Sequence, residues 1–318
     1  MSTIAKLTPL ALICSFGWAQ NSNPVPAAVP AQMIVTIGHH YGQVPPALTK
    51  NDLTVTERYE PLAVTNLIPL QGERAGLDLF VLVDHCSNCE PGSKFEELSQ
   101  FIRSQPPTTK VGIAYIMNGE LQMGVNPTAD HERAVKALNT PEGSRPASPF
   151  RALEQLIRNW PATCAQGKCR RAVLMISNGI NPSAQDKLLD DSAEEALEAA
   201  QREGVTVYVI YHPSADYLNA DPSKLYAGQV QLAHVADETG GEAYFLGFGP
   251  LPSLAPFLTD MADHLANQYL LKFAANPTEG DGGMHRVMVK SKIPGIEVMV
   301  PNRVFVGTGE AVPVEERP

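Results

Sequence analysis

The sequence lacks the short motifs of several common enzyme classes. It contains no His-Glu-x-x-His, no Gly-x-Ser-x-Gly and no Walker loop, which are the signatures of zinc peptidases, α/β-hydrolases and P-loop proteins. Its eight histidines are scattered along the chain. The acidic pairs Asp190-Asp191 and Glu194-Glu195 lie around the start of a predicted helix, where they suit the helix dipole. The sequence offers no catalytic constellation, and we expect a protein that is not an enzyme.

Charge is also sparse, and positive charge in particular. Charged residues make up 18% of the 318 residues, and 24 Lys and Arg stand against 34 Asp and Glu, for a net charge of -10. No stripe of basic residues with interleaved aromatics occurs, which argues against nucleic acid and acidic membrane surfaces as partners. Hydrophobic residues at 44% are typical of a globular chain with one or two domains.

Long apolar runs are absent except at the start of the chain. Lys6 precedes a mostly apolar stretch over residues 7–16, and Gly17 and Ala19 supply small residues at the −3 and −1 positions of a cleavage site. The stretch is too short to span a bilayer. We predict a signal peptide over residues 1–19 and a Pro-rich linker over residues 20–32. The protein is then secreted or periplasmic and not membrane-spanning.

The remaining sequence changes its rhythm at residue 77. Residues 77–84, Leu-Asp-Leu-Phe-Val-Leu-Val-Asp, are typical of a strand buried on both faces, as in a parallel sheet. Further strands are predicted over residues 171–178, 206–211 and 242–246, with amphipathic helices between them. The helix before the strand at 242–246 is predicted near residues 232–238. This alternation predicts an α/β domain with a doubly wound, mostly parallel sheet over residues 77–268.

The two flanks of this domain have a different pattern. Residues 33–76 and 269–318 contain short segments that alternate apolar and polar residues between Gly- and Pro-bearing turns, which predicts β-rich flanks. We expect the two flanks to pair into one small β-sandwich with the α/β domain inserted between them. The alternative is two separate edges laid against the α/β sheet.

Four cysteines lie beyond the predicted signal peptide: Cys86, Cys89, Cys164 and Cys169. An even number in an exported chain indicates disulfides. The first two follow one strand and the last two precede another, so the pairs lie at opposite edges of a parallel sheet, roughly 20 Å apart. Because a disulfide needs Cα atoms within about 7 Å, the geometry favours the local pairs Cys86–Cys89 and Cys164–Cys169 and argues against a four-cysteine zinc site.

Three segments, in this order along the chain, resemble a von Willebrand factor type A domain. They are Val81-Leu82-Val83-Asp84, Met175-Ile176-Ser177-Asn178-Gly179 and Gly240-Gly241-Glu242-Ala243-Tyr244. The chain is most similar to exported bacterial VWFA-related proteins, which also carry β-rich flanks, so the resemblance covers most of the chain. It implies a Rossmann-like domain that binds a protein or surface ligand.

The resemblance also implies a metal-ion-dependent adhesion site, built from Asp-x-Ser-x-Ser, a distant Thr and an Asp before Gly. Asp84 matches the first acid, whereas Cys86 and Asn88 stand where the two serines belong. Ser148 is the best candidate for the threonine, and Asn178 replaces the late aspartate. A thiol is a poor ligand for Mg²⁺, and the second carboxylate is missing. We therefore predict a degenerate site in which Asp84, Asn88, Ser148 and Asn178 bind a ligand, such as an acidic side chain of a partner. Asp84, Asn88 and Ser148 would hold at most a weak Mg²⁺ or other divalent cation.

Other roles for these residues stay open. Asp84 can cap the turn after its strand, Ser148 can cap a helix, and Asn178-Gly179 is a common turn pair. At the level of function, one alternative is a periplasmic thiol–disulfide redox protein that uses Cys86 and Cys89 near a helix start. The other is a purely structural envelope protein.

Overall fold

The structure is a computed structural model that describes residues 28–39, 46–84, 92–117, 120–138, 148–162, 169–181, 189–213, 221–247, 252–276 and 282–307. The predicted signal peptide and most of the predicted linker lie outside these residues. So do Cys86, Asn88, Cys89 and Cys164. The domain boundaries drawn from the sequence stay predictions.

The described residues form fourteen strands and six α-helices. In chain order they are β1 (Val29–His39), β2 (Leu53–Glu57), β3 (Glu60–Leu62), β4 (Val64–Pro69), β5 (Leu77–Asp84), α1 (Gly92–Ser104), β6 (Thr109–Met117), β7 (Glu120–Thr128), α2 (His131–Lys136), α3 (Pro149–Arg158), β8 (Arg170–Ser177), α4 (Ser192–Glu203), β9 (Val205–Tyr211), α5 (Pro222–Glu238), β10 (Ala243–Tyr244), α6 (Ala255–Ala266), β11 (Gln268–Ala275), β12 (Gly283–Ser291), β13 (Ile296–Met299) and β14 (Arg303–Val306).

The central sheet has six strands in the order β10-β9-β8-β5-β6-β7. All neighbours are parallel except β7, which runs antiparallel to β6. Strand β5 lies in the middle, and its first six residues are buried because helices cover both faces of the sheet. Helices α3, α4 and α5 pack on one face, and α1, α2 and α6 pack on the other. The predicted α/β class with a doubly wound, mostly parallel sheet is confirmed.

The flanks form a second, all-β layer. One sheet has the order β13-β1-β11-β4 and the other has the order β14-β12-β2-β3. The two sheets share one apolar core, to which Val35, Val55, Leu271 and Val306 contribute fully buried side chains. Strands from both ends of the chain pair directly, since β1 runs antiparallel to β11 and β2 runs antiparallel to β12. The flanks thus make one β-sandwich, as expected, and not two separate edges.

Arg170 lies where the sandwich meets the α/β sheet. It is the first residue of β8, 8% exposed, and its guanidinium donates to the carbonyl oxygens of Ala75 (2.7 Å) and Leu265 (2.6 Å) and to Gln268 Oε1 (2.8 Å). Gln268 Nε2 in turn donates to Thr36 Oγ1 at 3.0 Å. These contacts connect the segments by which the chain enters and leaves the α/β sheet.

Candidate functional site

The carboxyl ends of three neighbouring parallel strands meet at one edge of the sheet. Strand β5 ends at Asp84, β8 at Ser177 and β9 at Tyr211. Ser177 joins them: its Oγ donates to Asp84 Oδ2 at 2.7 Å, and its carbonyl oxygen accepts from the His212 backbone N–H at 3.0 Å. In open α/β sheets, this edge is where ligands bind. We call it the carboxyl edge.

The electrostatics of Asp84 set the character of this edge. Although the residue as a whole is only partly buried, desolvation of its carboxyl group raises its pKa to about 7, and the hydrogen bond from Ser177 lowers the pKa only in part. A carboxyl group with this pKa is about half protonated at neutral pH. Asp84 is therefore a weaker centre of negative charge than an ordinary aspartate.

Asn178 builds the turn that follows β8. Its side-chain Oδ1 accepts from the Ile180 backbone N–H at 2.8 Å, and the side chain is buried. Gly179 has a φ of 71°, a left-handed conformation that glycine adopts at low cost. The turn packs against Gly228 of α5, where a Cβ atom would overlap the Asn178 carbonyl oxygen. Asn178 thus performs the turn role that was the structural alternative for it.

Ser148 caps helix α3. Its Oγ accepts from the Arg151 backbone N–H at 3.3 Å, donates to Asp190 Oδ2 at 2.8 Å and lies 3.0 Å from Ser192 Oγ. The hydroxyl therefore ties the start of α3 to the start of α4. These hydrogen-bond partners differ from the partner of Asp84, which accepts a hydrogen bond from Ser177. The structure brings Asp84 together with the Ser177–Asn178 strand end, and it engages Ser148 in a helix cap.

Sequence reasoning missed two residues of this edge, Ser177 and His212. Burial and, to a smaller extent, the charge of Lys94 lower the pKa of His212 to about 4, so this imidazole is neutral at pH 7. The available signal was positional, because each residue stands where a buried strand ends. Ser177 lies inside one of the segments that carry the family resemblance, but the resemblance assigns it no role.

The described candidates do not fit a resident Mg²⁺. Asp84 is the one carboxylate among them, and it is desolvated and hydrogen-bonded to Ser177. Asn178 uses its amide oxygen in the turn, and Ser148 uses its hydroxyl between two helix starts. Within the described ranges, no group of three His, Cys, Asp or Glu residues is placed to hold a metal ion. Asn88 lies outside those ranges, so the weak site with Asp84 and Asn88 stays a prediction.

Cys169 lies at the opposite edge of the sheet. It precedes Arg170, which pairs with Leu77 at the start of β5, and it is disulfide-bonded. Its partner lies outside the described residues, so the pairing with Cys164 stays a prediction. The same holds for the pair Cys86–Cys89 and for the redox alternative that depends on it.

Four large apolar side chains are exposed near the carboxyl edge, and we call them the apolar patch: Tyr226 (62% exposed), Val230 (42%), Phe245 (42%) and Leu246 (63%). The first two are four residues apart on α5 and so share one face of the helix. The last two follow β10, where the chain emerges at the carboxyl edge. Gln229 Nε2 donates to the Gly247 carbonyl oxygen at 2.6 Å and holds the two segments together.

No family model and no curated protein matches this chain. Solved structures to which it is similar include an aerotolerance-related membrane protein from Bacteroides fragilis, the conserved hypothetical protein BatB from Bacteroides thetaiotaomicron and a manganese-loaded TRAP protein from Plasmodium vivax. Each is 15% identical, with TM-scores of 0.43, 0.43 and 0.41. The matches cover 60%, 59% and 71% of this chain and 98%, 98% and 92% of those chains.

None of the helices in the described ranges combines the length and the apolar character that a membrane crossing requires.

The topology of the central sheet agrees with the fold that the family resemblance implies. A six-stranded sheet with one antiparallel edge strand, three helices on each face and a polar carboxyl edge is a doubly wound arrangement. The chain therefore has the Rossmann-like fold that its resemblance to the bacterial VWFA-related proteins implies.

Proposed function

We propose that this protein is an exported binding module, without catalytic activity, that recognises a protein or surface ligand at the carboxyl edge. The apolar patch carries this proposal. Large apolar side chains that are exposed side by side mark interaction sites in many soluble proteins. The patch lies at the same edge of the sheet as Asp84, three strands away from it in the order β10-β9-β8-β5. A partner that covers Leu246 and Tyr226 and extends along this edge therefore also reaches the polar strand ends.

The half-protonated Asp84 favours recognition of an acidic partner without a tightly bound metal. An ionised Asp84 repels a partner carboxylate, whereas a protonated Asp84 tolerates it or donates a hydrogen bond to it. Because its pKa is about 7, binding of an acidic partner should strengthen as the pH falls below 7. A partner that binds only through the apolar patch would show no such dependence.

Photo-crosslinking in the native host tests the proposed surface. A photoreactive phenylalanine analogue replaces Leu246 in one variant and Met288 in the control, since Met288 is an equally large apolar residue, 48% exposed, on the sandwich strand β12. We expect a discrete crosslinked species from position 246 that position 288 does not give. Its yield should fall when Tyr226→Ser is added on α5. Identical species from both positions, or none from position 246, would contradict the proposal.

Calorimetric titration with Mg²⁺, Mn²⁺ and Ca²⁺ tests the metal-free part separately. We expect dissociation constants no tighter than about 1 mM, because one desolvated carboxyl group gives little of the charge that a divalent ion requires. Asp84→Ala should leave the titration nearly unchanged. Micromolar binding that disappears in Asp84→Ala would mean that a metal completes the edge after all.

A further inference from the structure

A second candidate site lies at the other end of the α/β sheet. A cavity of about 580 Å³ opens between strands β1 and β11 of the sandwich and the amino end of β8. Ile34 and Lys272 line it from the sandwich, and Trp160 and Arg171 line it from the α/β domain. We call it the basic cleft. It is remote from the carboxyl edge, because Arg170 begins β8 and Ser177 ends it.

The cleft concentrates positive charge in an acidic protein. Arg74, Arg170, Arg171 and Lys272 line it, against one carboxylate, Glu203. Glu203 is already used, because its Oε2 lies 3.1 Å from the Arg171 guanidinium. None of the ion pairs among the described residues includes Arg74, Arg170 or Lys272. Within the described part of the chain, these three cations face or border the cavity without a carboxylate in an ion pair with them, in a chain whose net charge is -10.

The Arg170 guanidinium has no carboxylate partner among the described residues. Its hydrogen-bond acceptors are two carbonyl oxygens and one amide oxygen, all neutral. Burial lowers its pKa to about 10, although the group stays charged at neutral pH. Its Nε and the Nε1 of Trp160 are buried and have no acceptor among the described residues. Over the described ranges, this part of the cleft therefore holds more cations and donors than it has carboxylates and acceptors to pair with them.

Most of the remaining lining residues are apolar, with Gln32 as a polar exception. The Trp160 ring packs edge-on against Phe80, with ring centroids 4.9 Å apart, and the Arg171 guanidinium lies 5.8 Å from the Trp160 ring centroid. Ile34 and Leu270 face the cavity from the sandwich. Small-molecule sites in proteins have volumes of roughly 300–1,000 Å³ and combine an apolar lining with a few polar groups that fix the ligand's orientation. The basic cleft has these properties.

We propose that the basic cleft binds a small organic anion, with an apolar body against Trp160 and a carboxylate or phosphate head group beside Lys272 and Arg74. The anion supplies the negative charge that the surrounding residues lack. Its apolar body covers the exposed part of the indole and the aliphatic side chains of β1 and β11. The ligand bridges the sandwich and the α/β domain, so it also stabilises their contact.

Three probes that share one apolar body test this proposal: 4-phenylbutyrate, 4-phenylbutyl phosphate and the neutral 4-phenylbutanol. Trp18 and Trp160 are the two tryptophans of the chain, so the full chain with Trp18→Phe reports on the cleft by Trp160 fluorescence. We expect at least one anion to change this emission with a dissociation constant of roughly 0.1–1 mM. The alcohol should bind at least about tenfold more weakly, because it lacks the charge-assisted hydrogen bonds. Comparison of the affinities of the two anions shows whether the cleft prefers a carboxylate or a phosphate head group.

Charge-neutralising variants locate the site. Lys272→Gln should weaken anion binding by about three- to tenfold, because it removes one half-buried cation of the cleft. Lys290→Gln, which removes an exposed lysine on β12, is the matched control and should leave the affinity unchanged. Equal binding of the alcohol, equal losses in the two lysine variants, or no anion-dependent change in Trp160 emission would each overturn the proposal. The comparison of probes on the protein with native Lys272 keeps the test decisive if the Lys272 variant unfolds.

Discussion

At the scale of single residues, Asp84 illustrates a conflict between burial and function. Its position after a buried strand removes water from the carboxyl group, and one hydroxyl, that of Ser177, returns a hydrogen bond. Desolvation is the larger effect, so the folded protein holds a proton that the unfolded chain releases at lower pH. A divalent cation or a second donor would be needed to reverse this balance.

This balance predicts how Asp84 contributes to stability as the pH changes. Its pKa is 3.8 in the unfolded reference and about 7 in the folded protein. Well below pH 3.8 the carboxyl group is protonated in both states, so its titration does not change the free energy of unfolding. Between pH 4 and 7 the unfolded state ionises and the folded state does not, so stability falls as the pH rises. Above pH 7 the loss is constant.

Asp84→Asn should remove this loss, because the amide oxygen still accepts from Ser177 and no proton is involved. We expect the variant to be more stable than the parent by about 1–2 kcal/mol at pH 8, a value reduced for partial exposure, and nearly equal to it at pH 4. Urea unfolding at several pH values measures the difference. Asp263→Asn, at an exposed position of α6, is the matched control. A difference that does not vary between pH 4 and 8 would refute the assignment.

The sequence predicted Asp84 at a strand end but not its partner. An apolar run that stops at an acid is visible in the residue order. The direction of the Ser177 side chain is not, because it depends on the turn after β8 and on the register between β5 and β8. The same reason explains Asn178. It stands where the family has an aspartate ligand, and its amide oxygen accepts a hydrogen bond within the turn, which the sequence alone does not reveal.

At the scale of elements, helix α5 is positioned by one close contact. Gly228 has room for no side chain, because a Cβ there would overlap the carbonyl oxygen of Asn178. Gly179 is equally constrained by the Gly228 carbonyl oxygen from the other side. Two glycines thus let α5 approach the turn after β8 and bring Tyr226 and Val230 to the carboxyl edge.

Gly228→Ala tests this contact through the sign of its effect. In an ordinary helix interior, the change from glycine to alanine stabilises by about 1 kcal/mol. Here the added methyl group must push α5 away from the turn, and we expect a net loss of about 1–3 kcal/mol in the free energy of unfolding. Urea denaturation measures it. A gain in stability would show that α5 does not depend on this close approach.

Periodicity predicted where elements lie better than how far they extend. Within residues 242–246 the strand covers only Ala243–Tyr244, where β10 pairs with β9 and forms the edge of the sheet among the described strands. Helix α5, predicted near residues 232–238, begins at Pro222. Its first half buries Leu225 but places Gly228 and Gln229 next on the inward face and exposes Tyr226, so the inward apolar stripe from which a helix is inferred is interrupted there.

At the scale of the whole molecule, two layers are built from a chain that leaves the sandwich once and returns once. Alternating residues predicted that both flanks contain strands, but not which strands pair, since β1 and β11 are separated by the entire α/β domain. Pairing over such a distance depends on a common core and on polar contacts at the junction. No local sequence pattern predicts these polar contacts at the junction. In the sequence, Arg170 resembles any charged residue at the start of a strand.

Arg170 and Arg171 are adjacent arginines with different tasks, and this difference allows a matched test of the junction. Arg170→Met removes a buried charge, which is a gain, but leaves the acceptors of Ala75, Leu265 and Gln268 without their donor. Several buried unsatisfied acceptors outweigh that gain, so we expect a loss of about 3 kcal/mol. Arg171→Met breaks a partly exposed pair with Glu203 and should cost less than about 1 kcal/mol.

Hydrogen exchange then shows where the loss occurs. If Arg170 holds the two layers together, Arg170→Met should speed amide exchange in β11 and at the start of β5, next to Ala75, and leave the middle of β2 and β12 protected. Arg171→Met should leave all four strands unchanged. A uniform acceleration throughout both layers would mean that Arg170 supports global stability only. Equal effects of the two variants would mean that the junction is held by the β1–β11 pairing alone.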